Sequence, residues 1–478
     1  MSAVAVSGFQ TLNALTSRKI TNNLSSNNKV NISSHCLSLI STSFSHPNYL
    51  QIQNPRNDFR FINRCSIKPD IDSSDNAIEK NNSIDGTDLD IDSNEQKKLT
   101  GLSQNEKPIS SISSRGLVFD MGIENSWDSQ EIGSPVVKRF LSDEEERWYM
   151  WYHGRNSSNG DTVGLAVSSN GVHWERGSGV VQSSSDVGCV MNCSQDWWAF
   201  DTESIRPSEI VIMSSSKVRV SSAVYWLYFT GFNAERLEVP GTQKVRVENP
   251  ERNGEVGAVN DVFRSLPGLA ISQDGRHWAR IEGEHHSGAL FDVGAGNEWD
   301  SLFIAEPKVV FHKSGDLRMY YHSFDVESGK FAIGIARSRD GMKWVKLGKI
   351  MSGGIEGSFD ELGVKSASVV RKRNGGYLMA YEGVAANGEK SIGLAESSDG
   401  LKDWNKCARG AVLKPSVGED GWDDKVVGHP CLVQMDGDAD EWRLYYRGIS
   451  SGGRSGIGMA ISQGNDITSF RRWTGFHL

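Results

Sequence analysis

Apolar residues in this chain come in short runs separated by polar and Gly-rich punctuation, and the runs recur. From residue 126 onward, an aromatic residue followed by Asp opens each of five segments: SWD (126–128), AFD (199–201), EWD (298–300), SFD (358–360) and GWD (421–423). Six or seven residues later a Pro or small residue starts an apolar run, in GSPVV, IRPSEIV, AEPKVV, KSASVV and GHPCLV. An aromatic-rich run follows (WYMWYHG, YWLYFTG, LRMYYHS, YLMAYEG, WRLYYRG), and then a Gly/Ala-rich one (VGLAVSS, PGLAISQ, IGIARSR, IGLAESS, IGMAISQ). In four segments an Asx-Gly turn then leads to a Trp: NGVHW, DGRHW, DGMKW and DGLKDW.

Short apolar runs bounded by turn residues read as strands, and Asn-Gly or Asp-Gly supplies the positive φ angles of a tight hairpin turn. Each segment therefore predicts four antiparallel strands, and four-stranded units recurring about every 60 residues are the pattern of propeller blades. The expected fold is all-β, a five-bladed β-propeller over 115–478 with four antiparallel strands per blade. One blade cannot bury both faces alone, so the Trp after each turn and the paired aromatics of the second strand are expected to pack between blades. The second segment runs long, because the polar stretch NAERLEVPGTQKVRVENPERNGEVGAVNDVFRS (233–265) intrudes between its second and third strands. A loop of this length is usually functional or unstructured, and here it is a candidate lid over one channel mouth.

Composition changes the picture at the N-terminus. Residues 1–57 hold no Asp or Glu, are rich in Ser and Asn, and carry scattered Arg18, Lys19, Lys29 and Arg56. They lack the continuous apolar stretch of a secretory signal, so 1–65 is expected to be a plastid transit peptide, with INRCSIK (62–68) resembling a processing site. Residues 66–114 switch to polar and acidic with no aromatic. Such a segment cannot bury enough apolar surface to offset its ordering entropy and is expected to be a disordered spacer. Across the 478 residues the net charge is −9, with no basic block and no 18-residue apolar run. Nucleic acid and a transmembrane helix are therefore not expected. The location implied is the chloroplast, with the stroma favoured. Cys189 and Cys193 have no nearby His or second pair to make a zinc site. No metal and no cofactor are expected.

The five-fold pattern, the A-x-S-x-D-G-x-x-W hairpins and the Pro-headed first strands together resemble the five-bladed glycoside-hydrolase propellers: arabinanases and xylosidases, invertases, levansucrases and mannoside phosphorylases. The resemblance covers about 116–478. Sialidases differ in having six blades and one more residue between Asp and Gly. In such propellers the first strand of each blade lines a central channel, and the resemblance implies catalytic carboxylates near the heads of the first three. A proton donor and a second carboxylate are what glycosidic chemistry requires.

Aligned on the Pro-like position, the residues just before it are Ser134, Arg206, Glu306, Ser366 and His429. The resemblance implies an Asp there in the first two blades, where Ser134 and Arg206 stand. It implies an acid two places before the Pro in the third, where Ala305 stands and Glu306 follows. Glu306 is thus the candidate acid in an incomplete carboxylate set, with Glu131, Glu203 and Asp120 as nearby substitutes. Ser134, Arg206, Lys365, Ser366 and His429 are the candidate ligand-binding residues, and Arg447, His153 and His322 stand behind them on second strands. Arg and Lys suit phosphate or carboxylate groups.

Two functions stay open. One is a glycosidase-like propeller that binds, and in the enzymatic case hydrolyses or phosphorolyses, a carbohydrate or sugar phosphate in its channel. The other is a non-catalytic scaffold or assembly factor for plastid protein complexes, with a protein partner. Arg206, Glu306 and His429 are expected to converge on one channel mouth, with the Glu306 carboxylate nearest Arg206.

Overall fold

The computed structural model describes residues 115–141, 146–158, 160–177, 187–213, 224–240, 246–252, 261–407, 410–417, 421–436, 441–463 and 466–475. All lie in the second of the two parts into which the chain divides, Arg60–Leu478. The expected transit peptide and acidic spacer fall outside the described residues.

Among the described residues there is no helix. Strand β1 (Leu117–Asp120) comes first. The five sequence segments then become five four-stranded antiparallel repeats. The first holds β2 (Glu131–Leu141), β3 (Glu146–Arg155), β4 (Thr162–Ser168) and β5 (Glu175–Arg176), with β6 (Cys189–Met191) also on β4. The second holds β7 (Ser204–Met213), β8 (Val224–Leu237), β9 (Val262–Ser272) and β10 (Ala279–Ile281). The third holds β11 (Ala305–Lys313), β12 (Asp316–Asp325), β13 (Lys330–Ser338) and β14 (Trp344–Met351). The fourth holds β15 (Gly363–Arg371), β16 (Tyr377–Val384), β17 (Lys390–Ser397) and β18 (Asn405–Lys406). The fifth holds β19 (Val426–Gln434), β20 (Trp442–Ile449), β21 (Ser455–Gln463) and β22 (Asp466–Arg472), and β1 pairs with β21. Repeats three to five are joined by single parallel pairings, Phe331 with Gly363 and Lys390 with Val426.

The aromatic-Asp signature has a structural cause. Asp128, Asp201, Asp300, Asp360 and Asp423 are all buried. In four repeats the Asp accepts a bond from a second-strand tyrosine: Tyr152 (2.9 Å), Tyr321 (2.9 Å), Tyr381 (3.1 Å) and Tyr446 (2.9 Å). In all five it meets a cation: Arg176, Arg280, Lys346, Lys406 and Arg472. The second repeat has Phe229 in place of the tyrosine. There burial wins over the Arg280 contact, and the Asp201 carboxyl is raised above its ordinary value. The aromatic beside each Asp lies across the third-strand glycine. A Cβ at Gly334 would stand 2.3 Å from Trp299, which is why this position stays Gly.

The turns differ from a two-residue primed hairpin. Of each Asx-Gly pair only the glycine has positive φ (Gly171 74°, Gly275 74°, Gly341 79°, Gly400 67°). The Asx side chain instead caps two following amides; Asp340 Oδ1 accepts from Met342 N (2.8 Å) and Lys343 N (2.9 Å). Each turn also docks on the preceding repeat. Carbonyls of Gly275, Gly341 and Gly400 accept from Trp151, Tyr228 and Tyr320, and that of Gly171 accepts from Tyr445 of the fifth repeat. The turn Trp packs on the same partners: Trp278 on Trp151, Trp344 on Tyr228, Trp404 on Tyr320, and Trp174 on Tyr445. Hydrophobic clusters lie between neighbours one and two, two and three, three and four, four and five, and five and one.

The long insertion is shorter than its polar sequence implied. Strand β8 runs on to Leu237 and β9 starts at Val262, so both strands extend into the stretch read as loop. Within it, Val247 is fully buried against a cluster that includes Phe303, Phe324 and Phe331.

Candidate functional site

The first strands of successive repeats lie against one another, and β19 returns to β2. Near the head of four of them the pairing slips, between Gly133 and Val136, Ala305 and Lys308, Lys365 and Ser368, and Gly428 and Cys431. The residue thrown out by each slip has left-handed backbone: Ser134 (φ 47°), Glu306 (53°), Ser366 (54°) and His429 (47°). A non-Gly residue there stores of order 1–3 kcal/mol, and such strain gathers at functional sites. Arg206 departs from the set. Its strand slips one place later, between Pro207 and Glu209, and Arg206 has no positive φ.

The sequence-predicted residues do converge. Arg206, Glu306, Lys365 and His429 line one cavity with Thr230, His322 and Glu251. Its volume is about 20 Å³, room for little more than one water. The Glu306 amide donates to Thr230 Oγ1 (2.8 Å), its carboxylate Oε1 lies 2.9 Å from His429 Nδ1, and Ser134 Oγ lies 3.2 Å from the same Nδ1. The nearest basic partner of Glu306 is thus His429, not Arg206 as expected. Arg206 turns to Asp161 (Nε to Oδ2 2.7 Å), to the Glu251 carbonyl (3.0 Å) and toward Glu131 (3.8 Å). Lys365 Nζ bridges Glu251 (2.8 Å) and Glu382 (3.1 Å). Ser366 donates its amide to His322 Nδ1 (3.4 Å). Its buried Oγ, like His429 Nε2, has no hydrogen-bond partner among the described residues.

The substitute carboxylates do not complete a catalytic pair. Asp120 binds Arg454 at the surface. Glu203 is exposed at the start of β7. Glu131 is fully buried and held by Arg447, by Arg155 (2.5 Å) and by His153 (3.6 Å).

Thr230, Glu382, Asp161 and Glu251 were missed. The second strands place one buried residue each behind the heads of the first strands, Thr230 and Glu382 beside the expected His153, His322 and Arg447. Thr230 and Glu382 could have been found as the polar residue that follows the last aromatic of the aromatic-rich run in every repeat. Glu382 reaches the channel because Gly428 leaves room; a Cβ there would lie 2.1 Å from its Oε2. Asp161, on the β3–β4 connection, carried no motif. Glu251 belongs to the insertion, where its carboxylate meets Lys365 and Lys390 and lies 4.0 Å from His429.

Electrostatics follow from this pairing. Burial would raise the Glu306 carboxyl, but His429, then His322 and Lys365, hold it well below the carboxylate range. Burial likewise opposes ionisation of Glu131 and Asp161. Arg447, the nearby His153 ring and Arg206 pull Glu131 well down, and Arg206 and His153 lower Asp161. Burial, with Arg206 beside it, pushes His153 down to about 4; burial and Lys365 push His322 to about 3. All five groups bind protons more readily when unfolded, so acid must destabilise the fold. Stability from the two histidines is expected to erode below about pH 6.5, and that from the carboxylates below about pH 4. Denaturant midpoints measured from pH 8 to pH 3 check this, and a flat profile below pH 6.5 would contradict it.

Glu251, Glu382 and His429 offer ligand atoms within 4.8 Å of one another, a spacing a divalent ion could use. The Lys365 ammonium between the two carboxylates already supplies positive charge there. Cys189 and Cys193 form no disulfide among the described residues, and burial pushes Cys193 up to about 12, so it is not a thiolate at neutral pH.

No family model matches the chain. The uncharacterized proteins MT1551 and Rv1502 of Mycobacterium tuberculosis (strains CDC 1551 / Oshkosh and H37Rv) are each 28% identical to it over 210 residues, 43% of this chain and 63% of theirs. The chain thus matches less than two thirds of those relatives' length. Among solved structures, a BT0996–RGII complex matches with TM-score 0.51 and 14% identity over 74% of this protein and 92% of that one. A glycoside hydrolase matches with TM-score 0.50 and 13% identity over the same shares. A thermostable family-43 glycoside hydrolase gives 0.47 at 17% identity, over 71% and 92%. The structural neighbours are glycoside hydrolase-like propellers, and at these identities the likeness is one of fold.

Proposed function

We propose that this protein is a plastid glycosidase-like propeller that binds a carbohydrate or sugar phosphate in its central channel. The five repeats are its five blades, formed by 115–478, with 1–65 a transit peptide and 66–114 an acidic spacer. The observation that carries the reading is the meeting of Glu306 and His429, both at strained bulges, with Arg206 and Lys365 around one cavity, and with the equally strained Ser134 and Ser366 behind them on His429 and His322. Strained backbone and buried polar atoms without partners are what a ligand site keeps.

Binding is favoured over hydrolysis. A general acid must hold its proton near neutral pH, and Glu306, Glu131 and Asp161 are all shifted the other way. Ser134 and Arg206 do not replace the two aspartates of the resembled enzymes. Glu251 occupies the seat of the ligand's anionic group, and ligand entry displaces it. Thermal shift of the protein and of Glu251→Ala against sugars, sugar phosphates and inorganic phosphate tests this. Sugar phosphates are expected to raise Tm, more so in the variant. No shift in either protein would reject the channel as a ligand site.

The scaffold reading is favoured by one observation. Loops ahead of the aromatic-Asp pairs expose Ile123 (78%), Trp197 (91%), Ile355 (83%) and Val417 (104%), and exposed apolar residues at related places suit a protein partner. For the address, residues 1–70 fused to a fluorescent reporter are expected to enter chloroplasts; a cytosolic or mitochondrial signal would reject it.

A further inference from the structure

A second cavity lies outside the channel. It has a volume of about 280 Å³, near the lower end of small-ligand sites. Its walls are Glu203 and Ser204 at the head of β7, Phe232, Ala234 and Arg236 at the end of β8, Pro250 and Arg252 from the insertion, and Phe263 of β9. The insertion's turn divides the two cavities: Glu251 faces the channel, while Pro250 and Arg252 line the outer one.

The outer cavity has its own chemistry. Two guanidinium groups lie over the Phe263 ring, Arg236 at 5.4 Å and Arg252 at 5.9 Å from its centre. Stacking on an aromatic face fixes a guanidinium plane while leaving its N–H fork free for a carboxylate or phosphate. Among the described residues Arg252 has no carboxylate partner. Arg236 has one, Asp261 at 3.5 Å, in a pair that is itself largely exposed. Such a pair contributes little and is readily exchanged for a better acceptor. Glu203, across the cavity, has no ion pair among the described residues and can accept hydroxyl hydrogens.

We propose that this cavity is a separate site for a small hydroxylated acid, a pyranose carrying one carboxylate or one phosphate. Arg236 and Arg252 hold the acidic group by paired N–H bonds. Glu203 accepts from ring hydroxyls, and Phe232 gives an apolar edge for the C–H face. The acidic group and the hydroxyls are both needed, because a plain sugar leaves two guanidiniums unanswered and a bare anion leaves Glu203 facing like charge. The site is independent of the channel reading, since none of its charged side chains enters the channel.

Titration calorimetry on the full chain tests the proposal with D-glucuronate, glucose 6-phosphate, D-glucose and inorganic phosphate. Both acidic sugars are expected to bind, D-glucose not detectably and phosphate more weakly; the tighter of the two acidic sugars identifies the acid. Arg252→Gln and Arg236→Gln remove exposed groups and leave the fold intact. Each is expected to weaken the acidic sugars about tenfold, the worth of one charge-assisted bond. Failure of both acidic sugars to bind would overturn the proposal, as would equal binding of D-glucose. Affinity unchanged in both variants would overturn it too; the binding would then lie elsewhere and the channel reading would stand untouched.

Discussion

Trp344→Ala is expected to destabilise the protein by about 3–5 kcal/mol, the range for removing a large aromatic from a packed core. Trp344 is 8% exposed. It meets Tyr228 of the preceding repeat edge-on, with ring centres 6.0 Å apart, and donates its Nε1–H to the Gly341 carbonyl at 3.0 Å. That same carbonyl accepts the Tyr228 hydroxyl at 3.1 Å. The substitution therefore opens a cavity at the seam between the second and third repeats and loosens the turn that bridges them. Trp278 occupies the matching place but is only half-buried, and its Nε1 has no partner among the described residues. Its loss should cost less than that of Trp344. Chemical denaturation of both variants reads the difference, and a Trp344→Ala effect under about 1 kcal/mol would show that the seam does not hold the repeats together.

Glu131→Ala is expected to be as severe, about 3–5 kcal/mol, for a different reason. The carboxylate has no exposure and answers three cations at once, Arg447, Arg155 and, farther off at 3.8 Å, Arg206. Removing one side of a buried pair leaves the other desolvated and uncompensated, which costs more than the pair itself was worth. Arg447 and Arg206 come from the fifth and second repeats, so Glu131 ties both to the first. Glu131→Gln keeps the shape and removes only the charge, and should recover part of the loss. If Glu131→Ala unfolds at the wild-type denaturant concentration, the carboxylate is not a structural counter-ion and its exclusion from catalysis falls with it.

The periodic part of the molecule was legible. The aromatic-Asp pair and the glycine of the third strand recur in all five repeats, and the turn Trp in four, because each solves the same local problem wherever it stands. The Asp answers a cation, and in four repeats a tyrosine as well. The glycine makes room for the aromatic, and the Trp caps the neighbouring repeat. Alignment on the Pro-like position also brought out Ser134, Glu306, Ser366 and His429 as one equivalent set, and the backbone treats them as one, with the same left-handed φ. Arg206 shows the limit of that alignment. It is equivalent in sequence, yet its strand slips one residue later, and the side chain goes to Asp161.

What the chain by itself determined is local and repeated: strand count per segment, turn positions, and the residues at each strand head. These depend on side-chain period, Gly and Asx chemistry, which act over a few residues. Tertiary structure alone decided which charges meet. Glu306 finds His429 across 123 positions and Lys365 finds Glu251 across 114, because different repeats and one insertion bring them to a common place. No spacing rule encodes such a meeting. The aperiodic insertion matters most here: it carries Glu251 into the cation cluster, and the buried Val247 and its aromatic neighbours anchor it there.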